Sequence, residues 1–181
     1  MRKIIREILF RIRGDYTTEK LIKMGMKVGK NFLRLNGVIL DPSHCWLISI
    51  GDNVTLAPRV HVLAHDASTK TFLDYTKIAS VTIGDNVFIG SGSILLPNIE
   101  IGSNVVIGAG SVVSKNLPAN AVYAGNPAKF ICSLEEYLKK NTEKMKESPI
   151  FSEEYTIRGK ITHDMKVKMK NELSDRIGYV K

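Results

Sequence analysis

Four imidazoles and two thiols are the side chains of this 181-residue chain best suited to moving protons or attacking a carbonyl: His44, His61, His65, His163, Cys45 and Cys132. An alcohol is a poor nucleophile until its proton is removed, and an imidazole titrating near neutrality is suited to remove it. His65 stands out by position, directly ahead of the stretch DASTKTFLDYTKIAS, residues 66–80, which lacks the regular pattern on either side of it. Asp66 follows it and offers a carboxylate to orient the ring; the plainer reading is a corner residue bonding its own backbone. His61 directly precedes a position expected inside and reads as structural, as does His44, while His163 lies in the tail and reads as solvated. The two cysteines match no metal-ligand spacing and are too few for a disulfide framework, so reduced thiols in a cytoplasmic protein are the expectation. Nothing near His65 resembles an activated serine or cysteine nucleophile.

The elements that must carry these groups keep a beat of six. From Ile83 the chain reads IGDNVF, IGSGSI, LLPNIE, IGSNVV, IGAGSV, VSKNLP, with aliphatic residues at 83, 89, 95, 101, 107 and 113. Ile50, Leu56 and Val62 keep the same spacing upstream, and a weaker trace beginning at Val28 slips in phase by two residues before Ile50. A helix needs apolar residues near every 3.6 and a flat strand alternates every 2, so a period of six fits neither. It predicts a solenoid of very short strands, each hexad one side of a triangular coil, with about 18 residues to the turn. Gly, Asn and Asp recur where the corners must be, as tight turns and positive φ require. After Val113, Pro118, Gly125 and Pro127 are expected to end the solenoid.

The net charge of +8 is uneven: residues 1–35 hold ten Lys or Arg against three acids, 36–132 five against six, and 133–181 eleven against nine. The excess lies on MRKIIREILFRIRGDY, where Ile4, Ile5, Ile8, Leu9 and Ile12 share a helical face. Packing on the open end of the solenoid is the preferred reading, and peripheral contact of residues 1–13 with anionic lipid the alternative. No aromatic platform or nucleic-acid motif accompanies the charge, and no apolar run or signal sequence points to a membrane span or export. Residues 134–147 and about 161–175 read as helices of a solvated C-terminal extension. The expected organisation is a helical cap over 1–27, a solenoid over 28–132 with the protruding loop 66–80, and a helical extension over 133–181.

VTIGDNVFIGSGSILLPNIEIGSNVVIGAGSVVSKNLPANAVYAGNPAKFI, preceded by a histidine and a long loop, closely resembles the hexapeptide-repeat acyltransferases. Within them it is similar to the branch holding galactoside, maltose, nodulation and xenobiotic acetyltransferases and the O-acetyltransferases of bacterial surface polysaccharides. The resemblance covers about residues 28–132 and implies a left-handed parallel β-helix, where crossover chirality in ordinary sheets would predict the opposite hand. It also implies a homotrimer whose active sites lie between subunits, the long loop reaching over a neighbour. His65 matches the family's general base. The resemblance places Asn36, with Asn31 behind it, near the acceptor hydroxyl. It gives Ser91 and Ala109 main-chain bonds to the pantetheine arm of acetyl-CoA, the Ser91 amide also meeting the developing oxyanion. Ser114, Lys115 and Lys129 match positions facing the pantetheine and the nucleotide phosphates. Phe88 stands where several relatives have Trp, and Lys129 where some have Arg, which costs the indole donor and the bidentate phosphate contact.

The reading is an acetyl-CoA-dependent O-acetyltransferase that acts on a saccharide hydroxyl by direct transfer, in surface polysaccharide biosynthesis, with no metal. A xenobiotic acetyltransferase is the rival within the class and a non-catalytic hexapeptide scaffold the rival outside it. A γ-type carbonic anhydrase needs three histidines on a metal, and the regular hexads from 83 to 118 contain none. The large helical domain of serine acetyltransferases and the nucleotide-binding domain of sugar nucleotidyltransferases are not present in the sequence.

Overall fold

Six-residue periodicity closes the chain into a triangular left-handed β-helix whose three faces are parallel ladders one strand per coil. The computed structural model describes residues 16–181; the basic segment 1–13, with its helix and the lipid contact considered for it, lies outside the described residues. The first face stacks Lys27–Val28, Ile48–Ile50, Val81–Ile83 and Ile99–Ile101. The second stacks Leu33–Arg34, Thr55–Leu56, Val87–Ile89, Val105–Ile107 and Ala121–Ala124, and the third Ile39–Leu40, His61–Val62, Ile94–Leu95 and Val112–Val113.

Three-residue strands such as Val81–Ile83 and Val87–Ile89 bury their first and last residues and expose the middle one, as alternation along a strand demands. Every aliphatic residue of the beat from Ile50 to Val113 is buried in one continuous core. Ser93 and Ser111 take two inward places, and each hydroxyl donates to the Gly108 carbonyl, so no buried polar group is left open there. The start of the core is covered by the helix Thr18–Lys23, capped by the Thr17 hydroxyl, with Leu21 buried.

The ladder registers measure where the beat is broken. Ile83, Ile89 and Leu95 pair with Ile101, Ile107 and Val113, each 18 residues on. Ile50, Leu56 and Val62 pair with Ile83, Ile89 and Leu95, 33 on, so this coil carries 15 extra residues. Val28, Arg34 and Leu40 pair with Ile50, Leu56 and Val62, 22 on, which is four extra. The phase slip in the weak early repeats is thus an insertion of four, lying between Leu40 and Ile48.

The solenoid also runs further than Pro118 suggests. Leu117 bridges to Ile101 and Ala121–Ala124 still pairs parallel with the coil beneath. Pro118 falls at the corner between them, and its carbonyl accepts the Tyr123 hydroxyl at 2.9 Å. The reversal comes at Gly125, whose φ of +103° suits glycine, and Lys129–Ser133 returns antiparallel.

The edge between the first and second faces is a column of asparagines. Asn31, Asn53, Asn86, Asn104 and Asn120 all hold φ between 55° and 60°, a region asparagine tolerates better than most residues. Asn31, Asn53, Asn86 and Asn104 each donate through Nδ2 to the Oδ1 of the asparagine one coil on, at 2.9–3.0 Å.

The chain divides after Leu134 into the solenoid and a second unit, Glu135–Lys181. The two expected helices appear as Leu134–Glu147 and His163–Glu172. Between them Ile150–Phe151 pairs parallel with Tyr179–Val180, which periodicity did not predict. Phe151 is buried against Tyr155, ring to ring at 4.9 Å, so this segment has a small core of its own.

Candidate active site

Both insertions leave the solenoid at the same corner, one coil apart: the short one after Ile39–Leu40, the long one after His61–Val62. Their first residues therefore stack. The Asp41 amide donates to the Val62 carbonyl, and its carboxylate lies buried beneath the chain entering the long loop. There Oδ1 accepts the Ser43 amide at 3.0 Å, and Oδ2 accepts the Ala64 amide at 3.0 Å and faces His65 Nδ1 at 2.5 Å. Burial works against the charge on Asp41, but the donors on His65, Ala64 and Ser43 outweigh it and hold the carboxyl below its ordinary range. An anionic acceptor at Nδ1 fixes the proton on that nitrogen and leaves the lone pair on Nε2. With 35% of its side chain exposed, His65 can present that lone pair to a substrate.

The long loop is pinched at its base. His65–Asp66 pairs antiparallel with Lys77–Ile78, and the Ala79 amide donates to the Ala64 carbonyl. Asp66 is spent on this neck: one oxygen accepts the Ser68 amide at 2.8 Å and the other meets Lys77 Nζ at 2.5 Å. The Lys77 ammonium and the Ser68 amide hold its carboxyl down to about 2. The orienting partner of the imidazole is Asp41, which sequence reasoning missed, and not Asp66. The missing signal was the register: 22 residues before Leu63 is Asp41.

The other histidines separate. His44 sits on the short insertion with its ring 5.5 Å from that of His65 and its Nδ1 enclosed without a partner. His61 lies half-buried in the third face, and His163 is exposed in the second unit. Asp41, His44 and His65 offer ligand atoms within 4.8 Å of one another. Asp41 Oδ2 is already engaged by His65 Nδ1 and the Ala64 amide. The group fits a proton-transfer pair better than a metal cage.

Asn36, Ser91 and Ala109 occupy another edge, between the second and third faces, where the Arg59, Gly92 and Gly110 amides link successive corners to Asn36, Pro58 and Ser91. Asn36 is exposed, and the Gly37 turn and the third-face strand Ile39–Leu40 separate it from Asp41. Asn31 belongs to the asparagine column. Ser91 and Ala109 stack through the Gly110 amide, 2.8 Å from the Ser91 carbonyl, and the Ser91 hydroxyl donates to Pro58. Phe88 points outward from the second face, 46% exposed. Ser114 and Lys115 are exposed just after the third-face strand Val112–Val113, at the His65 edge. Lys129 opens the antiparallel strand after the turn that the Ala128 amide ties to Val112.

Comparison with known proteins agrees with this architecture. The sequence profile of the family described as bacterial transferase hexapeptide (six repeats) matches residues 80–115. Protein CapG of Staphylococcus aureus is 39% identical over 149 residues, 79% of this chain and 84% of that protein. Among solved structures, a maltose O-acetyltransferase from Clostridium difficile is 44% identical with a TM-score of 0.55, over 60% of this chain and 59% of that one. A galactoside acetyltransferase in complex with coenzyme A is 34% identical with a TM-score of 0.57, over 64% of this chain and 58% of that one. The chain thus spans about three fifths of these two solved relatives.

Proposed function

This chain belongs to the hexapeptide-repeat acetyltransferase family, and from that premise we propose that it transfers an acetyl group from acetyl-CoA to a hydroxyl of a saccharide in surface polysaccharide biosynthesis. The observation that carries the reading is the Asp41–His65 pair: a buried carboxylate aimed at the inner nitrogen of a partly exposed imidazole. A scaffold has no use for such a pair. In the reaction His65 Nε2 takes the acceptor's hydroxyl proton and the freed oxygen attacks the thioester carbonyl. The C–S bond then breaks, and the CoA thiolate leaves with the proton from the imidazolium. Asp41 holds the tautomer and balances the positive charge while the proton is on the ring.

In this reading the site is a cleft between two copies: the pantetheine arm runs along the edge where Ser91 and Ala109 of one copy stack, with the Ser91 amide toward the oxyanion and Phe88 walling the acyl group, and His65 comes from the other copy. Ser114, Lys115 and Lys129 face the pantetheine and the phosphates. Asn36 reaches an acceptor only from a second copy, because its own His65 lies across the third face; this supports a homotrimer with shared sites. We place the reaction in the cytoplasm, in keeping with the two free cysteines Cys45 and Cys132; separately, among the described residues no helix is long and apolar enough to cross a membrane.

The test is thiol release from acetyl-CoA across sugars, nucleotide sugars and hydroxylated antibiotics, comparing the wild type with His65→Ala. Turnover on a sugar that falls at least about a hundredfold in the variant is the expected result. Turnover that survives the substitution, or that appears with antibiotics alone, overturns it.

A further inference from the structure

The short insertion has no part in the scheme above beyond Asp41, yet it holds an exposed indole close to the base. Trp46, the single tryptophan of the chain, is 52% exposed. It lies on the 3-10 turn Cys45–Leu47, between buried Cys45, whose thiol donates to the Leu21 carbonyl, and half-buried Leu47 packed on the core. The Leu47 amide closes the turn on the His44 carbonyl at 3.0 Å. From the other side Gly25 packs so closely that a Cβ there would lie 2.9 Å from the Trp46 Cβ. Its φ of +110° lets the chain pass at that spacing. The indole is therefore exposed on a braced backbone, with the His44 ring beside it.

The rings form a short series. His65 lies 5.5 Å from His44, and His44 lies 5.4 Å from Trp46. A six-membered sugar ring has an apolar face of C–H bonds that packs on an aromatic plane, while its hydroxyls project from the rim. We propose that Trp46, spaced from the base by His44, is the platform for a pyranose ring of the acceptor, and that it sets the class of alcohol acetylated as a cyclic sugar. The inference rests on the acetyltransferase reading for its reaction but not for its binding step. Stacking on a flat wall holds a ring and leaves an open-chain polyol with the same number of hydroxyls unheld.

As the chain's single tryptophan, Trp46 reports on its own site. Intrinsic emission is followed in the full chain during titration with methyl glycopyranosides and, separately, with sorbitol. Saturable change with at least one pyranoside and none with sorbitol is expected. With the acceptor found by thiol release, Trp46→Ala raises the acceptor KM about tenfold, the scale of one aromatic contact, with the KM for acetyl-CoA unchanged and most of the loss recovered in Trp46→Phe. Emission that ignores every pyranoside, or responds equally to sorbitol, overturns the platform, as does an unchanged acceptor KM in Trp46→Ala. Emission changes with pyranosides when no acceptor turns over retain the platform and reject the transfer reaction instead.

Discussion

Two edges of the same solenoid put polar side chains to opposite uses. Along the asparagine edge each side-chain amide from Asn31 to Asn104 is consumed by the next coil, and Asp52 and Asp85 likewise accept the Lys30 and Asp52 amides. At the corner of the two insertions, Asp41 accepts two backbone amides in the same manner and then a third donor, the imidazole of His65. The difference is one of chain length. A perfect repeat offers each polar group an identical neighbour above and below, so it satisfies itself. An interrupted one brings unlike groups together, and an acid–base pair needs unlike groups.

Breaking the pair is expected to have the larger effect on turnover. Asp41→Asn sets an amide group among three donors, the Ser43 and Ala64 amides and His65 Nδ1, and removes the charge that balances an imidazolium. We expect kcat to fall at least about tenfold and stability to fall by about 1–3 kcal/mol, the cost of a mispaired buried polar group, read by steady-state kinetics and urea melts. The native carboxyl titrates lower folded than unfolded, so its contribution is present above about pH 4 and is lost as pH falls through the depressed folded value. Asp41→Asn should flatten that acid limb of the stability curve.

Asn86→Ala breaks the other edge. It removes two amide bonds of 3.0 Å and leaves a Cβ residue at φ 55°, which should cost about 2 kcal/mol in urea melts with kcat unchanged. Asn86→Gly, which accepts the backbone but cannot bond, separates the two terms and should cost less. The smallest effect is expected at the neck: Lys77→Ala should let the Asp66 carboxyl rise from about 2 toward its ordinary 3.8 in an NMR titration, with the melting temperature barely moved, since exposed ion pairs contribute little.

What was legible in the sequence follows the same division. The aliphatic positions from Ile50 to Val113 were readable because each repeats the demand of one core. The weak early trace was not, because a slip back of two and an insertion of four are the same modulo six, and only the pairing of Leu40 with Val62 tells them apart. Asp41 was hidden there, inside what read as one more hexad, LDPSHC. Asn36, by contrast, was carried over from the family by its place before His65 in the chain, and a distance along the sequence does not say which edge of a triangle a residue occupies. In the tail, the pairing of Ile150–Phe151 with Tyr179–Val180 joins strands of two residues, too short to show a period.

A chain of near-identical hexads has no internal means of knowing which coil it is in: a strand displaced by one full turn meets the same aliphatic neighbours at nearly the same energy. The two insertions remove that ambiguity. In a displaced stack Asp41 loses both the Ala64 amide and the His65 ring and is left buried with its charge poorly matched. The pair that handles the proton therefore also serves as the index mark by which a periodic polymer finds its place.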